Sequence, residues 1–126
     1  MAGILIVEDE KDIRDMLKIS LLRHKYTVLE AVDGKDAIAH FRPSMTDLVI
    51  TDLLMPYEDG LKVIMKLREI KPSVKIIAIS GGGKAGPGSY LNMAKALGAN
   101  AVDSQPFSIN DLIAKIKLLI NDEQDN

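Results

Sequence analysis

Acidic side chains at the ends of two apolar runs are the residues whose types and spacing could do chemistry. Glu8 and Asp9 follow the run ILIV at 4–7, and Asp52 follows LVIT at 48–51. If the two runs are neighbouring parallel strands, the three carboxylates meet at one edge of a sheet. Carboxylates brought so close repel one another unless a cation joins them, and hard oxygen ligands suit Mg²⁺. The pattern predicts a Mg²⁺ site.

A plainer interpretation of the same acids is that they are solvated loop residues, or caps for the helices that follow. For Glu8 or Asp9 taken alone we favour this interpretation, because acidic residues are common at helix starts. The acidic pair together with Asp52 at the end of a second apolar strand favours the ion site instead.

The elements that must position these acids alternate along the chain. Short apolar or β-branched runs predict strands at 4–7, 26–31, 48–51, 74–80 and 100–104. Apolar residues at helical spacing predict helices at 11–25, after Asp33, around 61–67, at 89–97 and after Ser108. Such alternation predicts a single α/β domain with a parallel sheet, strand order 2-1-3-4-5, covered by helices on both faces. We place the more polar second strand at a sheet edge.

Composition excludes several classes of protein. The chain has 126 residues, 47% of them hydrophobic and 27% charged, which suits one globular domain. The net charge of -2 argues against a general nucleic-acid binder, and the absence of cysteine excludes disulfides and thiolate zinc sites. We find no membrane-spanning run and no signal-peptide pattern, so we expect a cytoplasmic protein. The expected domain is 1–121, with a polar tail at 122–126.

The chain resembles the receiver domain of two-component response regulators, of the chemotaxis-regulator kind. The residues that carry the resemblance lie in order from the first strand to the last helix: ILIVEDE at 4–10, LVITDLLMP at 48–56, Gly60, IIAIS at 76–80, Gly98-Ala99 and Pro106-Phe107. The resemblance implies a flavodoxin-like three-layer fold with five helices. It also implies a phosphoprotein that acts in signal transduction.

The resemblance assigns roles residue by residue. Asp52 matches the phosphoacceptor, which forms an aspartyl phosphate. Glu8 and Asp9 match the acidic pair, with Asp9 a direct Mg²⁺ ligand, and the backbone carbonyl of Leu54 matches the third protein ligand. Ser80 matches the hydroxyl residue that moves toward the phosphoryl group.

Two positions depart from the family pattern. Gln105 stands where receivers almost always carry lysine, so a donor is kept but the charge is lost. Val102 stands where a switching aromatic residue is usual. Lys84 could supply the missing charge, although a solvated loop lysine is the plainer interpretation. Both departures lie on the output side of the mechanism.

Three functions remain open at this point. The first is a domain that accepts a phosphoryl group on Asp52 from a histidine kinase or phosphotransfer protein, with Mg²⁺, and alters binding to a downstream protein. The second is a receiver-like interaction module that works without phosphorylation. The third is a dinucleotide-binding protein, suggested by the GxGxxG pattern at 81–86 and by Asp103. Against the third, we expect Pro87 and Gly88 to delay the next helix.

For the first function we expect no enzyme in the ordinary sense, no direct contact with nucleic acid and no membrane association.

The last helix carries apolar residues outside its main stripe, at Ile109, Ile113 and Ile120. These side chains could extend the core or form a contact in a homodimer. Lys115 and Lys117 on the same helix are interpreted as a solvated face.

Overall fold

The computed structural model describes residues 2–53, 60–80, 87–104 and 108–120. They form a five-stranded parallel sheet in the order β2-β1-β3-β4-β5, with a helix after each strand. This confirms the predicted fold and the edge position of the second strand. The elements are β1 (Gly3–Val7), α1 (Lys11–Arg23), β2 (Thr27–Ala31), α2 (Gly34–His40), β3 (Leu48–Asp52), α3 (Gly60–Ile70), β4 (Lys75–Ser80), α4 (Pro87–Ala96), β5 (Ala101–Ser104) and α5 (Ile109–Ile120).

The two faces of the sheet bury alternate residues of the same strands. On one face, Ile4 and Ile6 of β1 pack in a cluster with residues of α1 and α5. On the other face, Leu5 and Val7 pack in a cluster with residues of α2, α3 and α4. Because successive side chains of a strand point to opposite faces, a continuously apolar strand is the sequence that two helix layers require.

Local signals fix several helix ends as expected. The Asp33 carboxylate accepts a hydrogen bond from the backbone N–H of Asp36 at 2.8 Å, which caps α2. The Ser108 hydroxyl accepts one from the N–H of Asp111 at 3.3 Å at the start of α5. Gly98, just beyond α4, has a φ of 117°, a conformation that favours glycine.

Several expected boundaries differ from the structure by one or two residues, and the start of α4 is the one that bears on function. Helix α4 begins at Pro87, two residues before the predicted start at Ser89. Proline is well suited to the first turn of a helix, because the N–H that it lacks has no partner there and its φ is already helical. Pro87 and Gly88 therefore start this helix and do not delay it.

The apolar residues outside the main stripe of α5 extend the core. Ile113 is buried, and Ile109 and Ile120 pack against the cluster formed with α1. The large apolar side chain of this helix that stays exposed is Leu118, at 69%. Within the described parts of the chain, no helix has the length and apolar character needed to cross a membrane.

Candidate functional site

The register of the sheet brings the acidic residues together. Val7 at the end of β1 pairs with Thr51 of β3, so Glu8 and Asp52, each one residue further along, leave the sheet side by side. The N–H of Glu8 still donates a hydrogen bond to the Ala31 carbonyl of β2 at 3.0 Å, which holds Glu8 at the carboxyl end of β1. As expected for an open α/β sheet, the cluster lies at the carboxyl ends of the strands.

The three predicted carboxylates form one cluster. Glu8, Asp9 and Asp52 each offer an oxygen, and these atoms all lie within 4.8 Å of one another. Glu8 and Asp52 are buried, at 2% and 8% exposure, whereas Asp9 is exposed. Three carboxylate oxygens at this spacing fit a hard divalent cation such as Mg²⁺, which takes carboxylate ligands and keeps part of its water shell.

Burial and the close approach of the three carboxylates perturb the ionisation of Glu8. The pKa of Glu8 is raised from 4.5 to about 8, first by burial and then by the charge of Asp52, with a smaller contribution from Asp9. A hydrogen bond from the N–H of Glu10, at 3.1 Å, acts in the opposite direction. At neutral pH the metal-free protein therefore holds a proton on Glu8, at the place where a cation would lie.

We expect Mg²⁺ affinity to rise with pH up to about 8 and then to level off. Below that pKa the cation must displace the Glu8 proton, so affinity should change by about tenfold per pH unit. The unfolded chain ionises this carboxyl near 4.5, so the metal-free fold also loses stability as pH rises from there toward 8. Calorimetric Mg²⁺ titrations from about pH 6 to about pH 9 measure the rise in affinity and its levelling off.

The control for this prediction is Glu8→Gln, which removes the titrating group and should flatten the pH dependence. A wild-type affinity that stays constant across the same range would contradict the prediction. Repeating the titrations in buffers of different ionisation enthalpy counts the protons released on binding.

Other predicted site residues fall partly outside the described structure. Leu54, Lys84 and Gln105 lie outside the described residues, so their roles stay predictions. Ser80 is described by its backbone alone: it ends β4, one residue beyond the Asp52–Ile79 pair, and it pairs with Ser104. The backbone of Ser80 thus reaches the edge of the sheet that carries the acidic cluster.

Asp103 has a partner within the protein. Its carboxylate lies 3.1 Å from the Lys115 ammonium, which also donates to the Val102 carbonyl at 3.1 Å. Lys115 is therefore paired within the protein although its side chain is 36% exposed, and Lys117 is exposed. A ribose-binding acid would have to give up this ion pair, so the ion pair weakens the dinucleotide hypothesis. The argument from a delayed helix no longer counts against that hypothesis, because α4 begins at Pro87.

Sequence reasoning missed Arg14 and Glu30, which lie beside the cluster. Arg14 of α1 donates to the Glu8 carbonyl at 2.8 Å, and its Nε lies 3.4 Å from a Glu30 oxygen. Glu30 is a charged residue within a short strand and Arg14 lies one helical turn into α1, but neither fact indicates which group the side chain contacts.

Comparison with known proteins agrees with this geometry. Residues 4–117 match the family model of the response regulator receiver domain. The transcriptional regulatory protein ResD of Bacillus subtilis is 34% identical over 119 residues, covering 93% of this chain and 47% of ResD. DltR of Streptococcus agalactiae is 32% identical over 91% of this chain and 50% of DltR. The chain thus spans about half the length of these curated relatives.

Solved structures extend the likeness to the whole fold. A receiver domain protein from Clostridium thermocellum superposes with a TM-score of 0.88 at 27% identity, covering 98% of each chain. The response regulator TrrA of Thermotoga maritima, solved in complex with Mg²⁺-BeF, superposes with a TM-score of 0.82 at 31% identity, covering 95% of this chain and all of TrrA. With its acidic cluster at the carboxyl edge of a 2-1-3-4-5 sheet, this chain belongs to the response regulator receiver domains of two-component signalling.

Proposed function

We propose that Asp52 accepts the phosphoryl group in this receiver domain, with Mg²⁺ held by Glu8, Asp9 and Asp52. The observation that carries the proposal is the meeting of these three carboxylates within 4.8 Å at the carboxyl edge of the sheet. The Mg²⁺-BeF complex of TrrA supports the choice of metal, because a structural relative binds that combination.

The chemistry asks little of the protein beyond alignment and countercharge. When bound, Mg²⁺ draws negative charge from the phosphoryl oxygens and offsets the charge of the carboxylates. A carboxylate oxygen of Asp52 forms a new bond to phosphorus while the bond from phosphorus to the donor's histidine nitrogen breaks. Asp52 is the last residue of β3, so its carboxylate lies at the carboxyl ends of the strands, beside Glu8 and Asp9.

The backbone carbonyl of Leu54 completes the protein ligands in this proposal, and the Ser80 hydroxyl hydrogen-bonds the phosphoryl group once it is attached. An acyl phosphate adds negative charge and strong acceptor oxygens, so such a bond can bias the loops around it. Gln105 takes the place of the usual lysine and offers a neutral donor.

The proposed phosphodonor is a histidine kinase or a phosphotransfer protein, and the proposed output is altered binding to a downstream protein. We propose a signalling domain and not an enzyme in the ordinary sense. The cytoplasmic location, the domain limits of 1–121 and the possible homodimer stay predictions.

The test is phosphorylation of the purified chain by a small phosphodonor. Acetyl phosphate with Mg²⁺ should add one phosphoryl mass to the intact chain, and excess EDTA should prevent the addition. Hydroxylamine should remove the added mass, because it cleaves acyl phosphates. A chain that gains no mass with Mg²⁺ would contradict the proposal and favour an interaction module that works without phosphorylation.

Gln105→Lys is expected to strengthen the coupling between phosphorylation and the loops. A lysine ammonium forms charge-assisted hydrogen bonds about twice as strong as those of a neutral amide. The lifetime of the modified chain and its phosphorylation rate measure the effect, with Gln105→Met as the control that removes the donor. If all three chains behave alike, another group already fills this role.

A further inference from the structure

Arg14 links the acidic turn after β1 to the neighbouring strand. Its Nη1 donates to the backbone carbonyl of Glu8 at 2.8 Å and lies 3.5 Å from that of Asp9. Its Nε lies 3.4 Å from Oε1 of Glu30 on β2. The Arg14 side chain is 15% exposed, so the guanidinium is largely enclosed between α1, the turn and β2.

These contacts differ from those of an arginine that neutralises a ligand carboxylate. The guanidinium holds the turn through its carbonyls, while Glu30 takes up the positive charge. Because guanidinium is planar with donors in a fixed fork, one side chain can serve both partners at once. The turn so held carries Asp9, the exposed member of the cluster, which has the least packing to fix its direction.

We propose that Arg14 is a positioning residue for the Mg²⁺ site, and that Glu30 orients Arg14. Together they hold the turn at Glu8 and Asp9 so that its carboxylates already converge with Asp52 before the cation arrives. This inference rests on the proposed function, since it concerns the same metal site. Preorganised ligands bind more tightly because less conformational freedom is lost on binding.

The sign of the effect separates positioning from simple electrostatics. A positive charge near a cation site opposes binding, so removing it should tighten Mg²⁺ binding if charge alone mattered. If Arg14 positions the turn, removing it should weaken binding. The two interpretations therefore predict changes in opposite directions.

The experiment is a calorimetric titration of Mg²⁺ into the full chain and its variants, without phosphodonor. Arg14→Met should weaken Mg²⁺ binding by about fivefold, because the charged hydrogen bond to the turn is lost but is partly exposed to solvent. Glu30→Gln should weaken it by a smaller factor. Arg14→Lys keeps the charge without the fork and should recover only part of the loss.

Lys18→Met is the matched control. Lys18 lies one turn further along α1 and pairs with the other oxygen of Glu30 at 3.0 Å. Among the described residues its ammonium pairs with Glu30 and has no hydrogen bond to the acidic turn, so the variant should bind Mg²⁺ within about twofold of wild type. Thermal unfolding in EDTA measures how much stability Arg14→Met and Lys18→Met each lose. If Arg14 had a purely structural role, two variants of comparable stability would bind Mg²⁺ equally well.

Unchanged or tighter Mg²⁺ binding by Arg14→Met would overturn the inference. If that variant does not fold, Arg14→Lys decides, because it keeps the charge and removes only the fork: weaker binding than wild type supports positioning, and unchanged binding overturns it. Failure of the wild-type chain to bind Mg²⁺ is a different result, because it would overturn the proposed function.

Discussion

Asp52→Asn is expected to abolish phosphorylation by acetyl phosphate while leaving the fold intact. The asparagine amide has nearly the same shape as the carboxylate but lacks its nucleophilic oxygen. Asp52 raises the pKa of Glu8 through its charge, so the substitution also removes repulsion within the cluster. The thermal midpoint of the metal-free variant should therefore not fall. Intact mass after incubation with Mg²⁺ and donor measures the phosphorylation.

Asp33→Asn is the control for this variant. It removes one carboxylate charge, and asparagine caps a helix about as well as aspartate, so the N-cap of α2 is kept. This variant should take up one phosphoryl group as the wild-type chain does. Phosphorylation of the Asp52→Asn chain at the wild-type level would place the acceptor on another residue.

Gly60→Ala is expected to destabilise the fold and to weaken the metal site together. Gly60 begins α3 against the end of β3, where an added Cβ would lie 2.6 Å from the Cα of Leu53 and 2.7 Å from its carbonyl oxygen. These neighbours are backbone atoms, so the strand end or the helix must shift. Overpacking of this kind costs about 2–3 kcal/mol in the free energy of unfolding. Chemical denaturation in EDTA measures this cost.

The metal site is affected because the displaced backbone is the one that follows Asp52. The same Cβ would lie 3.0 Å from the Asp52 carbonyl oxygen. Gly98→Ala, just beyond α4, is the comparison. It strains a backbone of φ 117°, but the added Cβ would meet the side chain of Arg68 on α3 and no backbone near the acidic cluster. We expect both variants to lose stability and only Gly60→Ala to lose Mg²⁺ affinity. Equal affinities in the two would show that the close approach at Gly60 does not shape the site.

Most of the fold could be predicted because its signals are local. The continuous apolar runs of β1 and β3 require cover on both faces, and the turn residues Asp33, Gly98 and Ser108 mark helix ends. The start of α4 could not be placed correctly in this way. Proline and glycine occur both in loops and in the first turn of a helix, so their presence alone leaves the helix start undecided.

In the candidate site, too, the residues marked by local signals could be predicted and those defined by distant contacts could not. Glu8, Asp9 and Asp52 could be predicted because each follows a strand, and the ends of parallel strands meet. The roles of Arg14, Glu30 and Lys115 could not be predicted. Their partners are backbone carbonyls or acids on another element, and a linear pattern does not indicate which carbonyl a long, flexible side chain reaches.

By itself the sequence determined which acids end the strands and which faces of the helices are buried, because strand and helix periods are properties of neighbouring residues. The tertiary structure alone decided how near those acids come and how strongly they interact. The register between β1 and β3 brings Glu8 beside Asp52. Burial then turns ordinary carboxyls into a group with a raised pKa. Distance and desolvation depend on atoms far apart in the chain, and these meet only when the sheet and both helix layers have formed.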